Sequence, residues 1–359
     1  MFVAGQPGSG KTTNDIALML ALAELEVPFL AIECVKKEYR GIKRLKNHTN
    51  RVYRNLARSL EIYTPGAENL VPLRHSLLEL IPGAPVDARI DAVQTCMEAA
   101  MPTGGPINAL LFEAIEATYF ESDANGRSPT LTDLLRHAER VTRSKAYSNE
   151  MSGDLRAALD VRIGKLIRGA PGKIFQCAHS HPSVEHLLGS SSILELDYLE
   201  GSYTPCLIIL DILWQLRTDL KALPPPARKP RLVIFLAEAH RLLQGSKDTG
   251  PSDSVADPQS YVVETLCHML AELRALGVGI IIGDQTPSAV PSEVIKHTAT
   301  KLAFQLADVN DRQAIGSSML FGEQEFENIA RLPPGQAYFF TQGYYEPRLI
   351  RTPNLHEAP

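Results

Sequence analysis

An α/β fold, with a mainly parallel β-sheet flanked by helices and carrying a helical insertion, is the class this sequence predicts. Three observations predict it. Short apolar runs with β-branched centres, "RLVIFLAE" and "GVGIIIGDQ", read as strands buried on both faces, as in a parallel sheet. Segments of helical period lie between such runs near both ends of the chain, the order expected of parallel strands with crossover helices. A glycine-rich loop, "GQPGSGKTT", stands between a short apolar run and a helical one, where a phosphate-binding loop belongs.

Taken in order, Phe2-Val3-Ala4 reads as the strand ahead of that loop, "NDIALMLALAELE" as the helix after it and "PFLAIE" as a second buried strand. Between 60 and 187 the character changes. Strand-like runs nearly vanish, and helical spacing governs "HSLLELI", "DARIDAVQTCMEAAM", "GPINALLFEAIEATYF", "TLTDLLRHAERV" and "DLRAALDVRIGKLI". Thr130 to Asp133 forms a capping box with Asp in place of the longer Glu. Strands return from "SSILELDYL". The helix "SYVVETLCHMLAELRALG" places Val263, Leu266, Leu270 and Leu273 on one face. "GSKDTGPSDSVADPQS" has loop composition, and "PPGQAYFF" reads as a turn into a last strand. The expected organisation is a discontinuous core of residues 1–59 and 188–350, a helical subdomain of 60–187 and a tail of 351–359.

With 359 residues, 44% hydrophobic and 21% charged, the composition is that of an ordinary globular protein. A formal net charge of −5 argues against a protein that coats nucleic acid with its whole surface, while leaving room for a local basic channel. No run approaches the roughly 18 apolar residues of a membrane span, and no signal peptide is visible, so a cytoplasmic chain without an integral membrane segment is expected. Cys34, Cys96, Cys177, Cys206 and Cys267 form no CxxC pair and read as scattered reduced thiols.

The loop satisfies GxxxxGK[ST] in full: Gly5, Gln6, Pro7, Gly8, Ser9, Gly10, Lys11 and Thr12, with Thr13 following. Its glycines let backbone N–H groups turn inward around a phosphate, and the following helix adds its positive N-terminal end. Lys11 would reach the β- and γ-phosphates of ATP, and the Thr12 hydroxyl would ligate Mg2+. Hydrolysis then demands a carboxylate at the end of a neighbouring buried strand. "LVIFLAEAH" supplies Glu238 directly behind such a run, but Ala237 stands where an acid on the metal side is usual.

Four pieces in order, the loop above, "AIECVKKEY", "AEAHRLL" and "RALGVGIIIGDQTPSAVPSEV", resemble the HerA/FtsK superfamily of ring-forming ATPases, in particular the central domain of HerA-type helicases. The helical section resembles insertions in relatives that include the type IV secretion ATPases. The resemblance covers nearly the whole chain. It implies a RecA-like P-loop NTPase core and a hexameric ring that hydrolyses ATP with Mg2+ between subunits and moves DNA through backbone contacts. It also implies a nuclease or other effector as partner. Glu238 then matches the glutamate that polarises water, and Gln285 the polar sensor of the γ-phosphate. Arg274, three residues before Gly277, matches the arginine that enters a neighbouring subunit's site; read from the sequence alone it is equally a solvated cation at a helix end. HerA-type proteins usually carry a small β-barrel ahead of the motor and this sequence has none, which implies a misplaced start or a piece of a longer chain.

Ala237 departs from the family pattern. Asp284 and Glu33 are the nearby acids that compensate in this reading, with the spacing from Glu33 to Glu38-Tyr39 one residue longer than in the HerA form, and Ala237→Asp should raise turnover. Residues 36–58 hold nine Lys/Arg against one Glu, a run that lines a nucleic-acid channel or forms a solvated helix face. The loop around Lys247 is another candidate for the pore. His240 is not read as a metal ligand, and Asp211 in "LIILDILWQL" is read as a helix residue. Three rivals remain: a secretion-type ATPase that moves protein, a DEAH-box helicase, and a nucleotide-binding assembly or switch protein with weak hydrolysis.

Overall fold

Strand β1 (Phe2–Ala4) has no exposed surface, and its burial between two other strands fixes where everything else sits. The computed structural model describes residues 1–67, 70–101, 104–199, 203–226, 228–243 and 258–353. The other strands are β2 (Phe29–Glu33), β3 (Glu61–Tyr63), β4 (Ser192–Glu195), β5 (Leu232–Ala237), β6 (Val278–Asp284), β7 (Thr300–Ala303), β8 (Gln336–Thr341) and β9 (Arg348–Arg351). They form one sheet in the order β3-β4-β2-β5-β6-β1-β7-β8-β9. The first seven in that order pair in parallel, and the β7–β8 and β8–β9 pairings are antiparallel. All five residues of β2 and the first five of β5 are buried, as apolar runs without alternation require. The sheet is thus the mainly parallel one expected. Three of its strands, β3, β7 and β9, had no sequence signal strong enough to name them.

Helix α1 (Lys11–Glu24) follows the glycine loop, and a 3-10 turn (Tyr39–Asn47) leads into α2 (Arg51–Ser59). Between β3 and β4 lie α3 (Val86–Ala100), α4 (Pro106–Ala124), α5 (Leu131–Ser144), α6 (Asn149–Ile167), α7 (Gly169–Phe175) and α8 (Val184–Gly189). Helix α9 (Tyr203–Lys221) precedes β5; α10 (His240–Leu243) and α11 (Pro258–Ala275) lie between β5 and β6. The capping box at α5 forms as the sequence predicts. Thr130 Oγ1 accepts from the Asp133 backbone N–H and Asp133 from that of Thr130; Arg127 also holds the carboxylate at 2.7 Å, which fixes the shorter acid. Lys247 lies outside the described residues. No helix is long and apolar enough to cross a membrane among those residues.

Helix α9 is buried from Thr204 through Leu216, which an element apolar on every face must be. Asp211, read as a helix residue, lies in its middle. Burial alone would raise its carboxyl. The Arg89 guanidinium at 2.6 Å and His75 Nε2 at 2.7 Å more than offset this and leave it lowered to about 2. Arg89 is itself fully buried and donates to the carbonyls of Leu77 and Glu79. This network joins α3, α9 and the chain around His75. Arg89→Ala strands a buried carboxylate and should cost about 3–5 kcal/mol of unfolding free energy in urea titrations. Because the folded pKa lies below the unfolded one, Asp211's contribution is present above about pH 4 and is lost as pH falls toward 2.

Candidate phosphate-binding site

The loop Gly5–Gly10 leaves β1 at the end of the sheet where the parallel strands terminate. Two backbone bonds hold it there: Gly5 N–H donates to the Asp284 carbonyl at 3.3 Å and Gln6 N–H to that of Gln305 at 2.8 Å. Ser9 tightens the turn by donating its hydroxyl to the Gln6 carbonyl. Gly5 has no space for a side chain, since a Cβ would lie 2.6 Å from the Phe304 Cβ. Gly10 has φ of 111° directly before α1, a conformation that glycine adopts without cost. The loop therefore presents the start of a fourteen-residue helix to a cavity of about 310 Å³. Gln6, Pro7, Gly8, Gly10, Lys11, Thr12 and Thr13 line one side of it.

Lys11 Nζ donates to the carbonyls of Gly5 and Gln6. Burial lowers its pKa, opposed by the charges of Glu238, Asp15 and Asp284. The Thr12 hydroxyl donates to the Glu38 carboxylate. Across the cavity, Glu238 follows β5 with φ of 57°, a left-handed conformation strained for a residue with a side chain. Its N–H is bonded to the Gly283 carbonyl at 2.8 Å, and its carboxylate accepts from the Gln285 side-chain amide. Burial raises the Glu238 pKa, as does the charge of Asp284, while Gln285, Lys11 and His240 act the other way. The structure thus brings Glu238 and Gln285 to the same cavity as the loop. One detail differs from expectation: β5 is not next to β1, because β6 runs between them and carries Gln285 on its end. Strand order depends on how crossovers pack, which residue patterns do not encode.

Asp284 is not brought to the cavity. It is fully buried, and its oxygens accept from the backbone N–H groups of His240 and Thr286, each at 2.8 Å, and from His240 Nδ1 at 3.0 Å. Glu238, His240 and Asp284 offer atoms within 4.8 Å of one another, yet this bonding makes Asp284 a clasp between strand ends rather than a free ligand. The clasp also raises the His240 pKa.

Glu33, by contrast, does line the cavity. Its Oε1 accepts from the N–H of Glu38 at 2.7 Å and of Tyr39 at 3.1 Å, closing the loop that holds the extra residue noted above. Its Oε2 is buried without a hydrogen-bond partner among the described residues. Burial pushes its pKa up to about 8 despite those backbone bonds. Asp15 was not singled out in the sequence, although it stands one helical turn beyond Lys11. It is buried in the cavity wall, accepts from the Tyr39 hydroxyl at 2.8 Å and keeps Oδ1 without a hydrogen-bond partner among the described residues; burial lifts its pKa to about 6.

Arg274 lies at the other end of the sheet. It is exposed near the end of α11 and lines a second, apolar cavity with Met1 and His297. The seven residues of β6 separate that end from Gln285, about 20 Å at the rise of a strand. In the basic run, Lys37 pairs with Asp197 at 2.9 Å, Arg40 with buried Glu195 at 2.5 Å, and Arg54 bonds the His48 carbonyl. Lys43, Arg44, Lys46, Arg51 and Arg58 form no ion pair among the described residues.

The fold is that of the RecA-like P-loop ATPases. VirB4 of Thermoanaerobacter pseudethanolicus superposes with a TM-score of 0.71 at 17% identity, over 98% of this chain and 88% of that one. The bacterial conjugative coupling protein TrwB superposes with 0.65 at 12% identity, over 98% and 84%. TrwB solved with ADP and Mg2+ gives 0.61 at 13%, over the same shares. These likenesses agree with the HerA/FtsK-type resemblance at the level of the fold. No protein-family profile matches the sequence, and no curated protein does.

Gly5→Ala should lower thermal stability by roughly 1–3 kcal/mol, through the overlap with Phe304. A thermal melt of the purified variant checks this.

Proposed function

We propose that the chain is a Mg2+-dependent ATPase motor that works in a ring, its own loop set against a glutamate and a glutamine across the same cavity.

 
The single observation that carries this reading is that Glu238 and Gln285, joined by a hydrogen bond, face the loop of Lys11 and Thr12 over one cavity. In this reading the N–H groups from Gly8 to Thr13 and the Lys11 ammonium hold the phosphates, and Thr12 serves the cation. Glu238 takes the proton of the attacking water, with Gln285 orienting it and sensing the γ-phosphate. The residues present fit such a ligand: the helix end and Lys11 suit a polyphosphate, and Thr12, Glu33 and Glu238 suit a hydrated divalent cation.

Arg274 cannot serve the site of its own chain from the far end of the sheet, so a catalytic role for it requires a neighbouring copy. This supports a ring, a hexamer by the family resemblance, with residues 1–59 and 188–350 as its engine and 60–187 as an attached helical unit. DNA is the polymer moved, gripped through its phosphates by cations such as Arg44, Lys46 and Arg51. A second reading, transport of protein in a secretion-type machine, draws support from the likeness to VirB4, which extends over the helical section as well.

ATP turnover measured with and without DNA tests the reading. Turnover stimulated by DNA is expected; turnover indifferent to DNA favours the secretion-type motor, and nucleotide binding without turnover favours a switch. Lys11→Ala should abolish nucleotide binding. Glu238→Gln should retain it while turnover falls by about 10²–10⁴, the usual range for a lost general base. Arg274→Ala should lower turnover by about 10³ or more, as for an arginine supplied in trans. Mixing Arg274→Ala with Lys11→Ala chains should restore part of the activity, because some interfaces then combine an intact loop with an intact arginine. No recovery in mixed rings rules out the trans role.

A further inference from the structure

Ala237 leaves β5 without the acid that a magnesium site of this kind uses, and the sheet register shows what surrounds the gap. Ala237 pairs with Glu33 on β2 and with Gly283 on β6, so all three residues project to one face of the sheet, about 4.8 Å apart from strand to strand. A Cβ on Gly283 would lie 3.9 Å from Asp15 Oδ2. The Ala237 methyl is therefore flanked by two carboxylates, Glu33 on one side and Asp15, reaching down from α1, on the other. Asp15 is 5% exposed and Glu33 3%, and each keeps one oxygen without a partner among the described residues. Both line the cavity that holds Thr12.

Thr12 and Asp15 stand three residues apart on α1 and so share a side of the helix. The contacts confirm it: consecutive residues Glu38 and Tyr39 bond the Thr12 hydroxyl and the Asp15 carboxylate respectively. An aspartate at 237 would enter a space already bordered by two acids.

The geometry points to Asp15 as the replacement for the missing strand carboxylate: it holds the hydrated magnesium ion beside Thr12 from the helix side, with Glu33 facing it across Ala237. This rests on the nucleotide-site reading above. It also alters the expectation for Ala237→Asp, which in the parent chain adds a third carboxylate to the pair and brings no gain in turnover. In an Asp15→Asn background the same substitution restores what was lost.

The test is a titration of the full chain with a fluorescent ATP analogue at a series of Mg2+ concentrations, with binding in EDTA as reference. Asp15→Asn should raise the Mg2+ concentration for half-maximal nucleotide binding at least tenfold and leave the affinity in EDTA within twofold. Asp15→Asn with Ala237→Asp should return the midpoint to within threefold of the parent. A midpoint unchanged in Asp15→Asn, or not recovered in the double variant, overturns the assignment. Lys11→Ala is the control that separates the two levels. If it leaves binding in EDTA intact, the nucleotide site itself is wrong; if it abolishes binding while Asp15→Asn shifts nothing, only the role of Asp15 fails. Should Asp15→Asn not fold, Tyr39→Phe removes only the hydroxyl that holds Oδ2. A two- to fivefold rise in the Mg2+ midpoint is then expected, and no rise overturns the proposal.

Discussion

The burial of β1 between β6 and β7 is the constraint on which the rest of the structure depends. Three apolar residues leave no polar side chain to satisfy there, and the backbone groups are taken up by the strands on either side. The glycine loop has to emerge where those strands end, and its first two N–H groups bond the carbonyls of Asp284 and Gln305. The position of the loop is thus set by sheet pairing. Glu238 and Gln285 owe their positions to the same pairing, since Glu238 N–H bonds the Gly283 carbonyl on β6. Fixed backbone at a common edge is what lets side chains from distant parts of the sequence converge.

The acids at this edge divide according to their bonding. Asp284 is saturated by N–H donors and fixes the backbone. Glu33 uses one oxygen for the same purpose and keeps the other. Asp15 accepts from the Tyr39 hydroxyl on one oxygen and keeps the other without a partner among the described residues. Buried carboxylates with open acceptor sites are costly in a folded chain unless a cation or a proton compensates them. Burial raises the pKa of Glu33 to about 8 and that of Asp15 to about 6, so near neutral pH a proton compensates Glu33 while Asp15 stays largely ionised.

Much of this was legible in the sequence. The glycine loop, the strand and helix around it, β2, β5, β6 and Glu238 all follow from runs whose apolar length and end residues leave few alternatives. Strands β3, β7 and β9 were not legible, because runs of three or four residues carry no period and exist only through their partners. The interposed β6 and the role of Asp284 were hidden for a related reason: both depend on which strands lie side by side. Asp15 had a weak signal, an acid on the face of α1 that the sheet covers, which an amphipathic reading of that helix could have flagged.

The Asp284 clasp has a mechanical consequence. One carboxylate bonds the backbone of His240, just past Glu238, and that of Thr286, just past Gln285. The tips of β5 and β6 are thereby riveted together, and neither side chain can shift far without the other. The stretch between Glu33 and Tyr39 is tied instead to the first turns of α1, through the Thr12 hydroxyl on Glu38 and the Tyr39 hydroxyl on Asp15, so the two walls of the cavity hang from different elements.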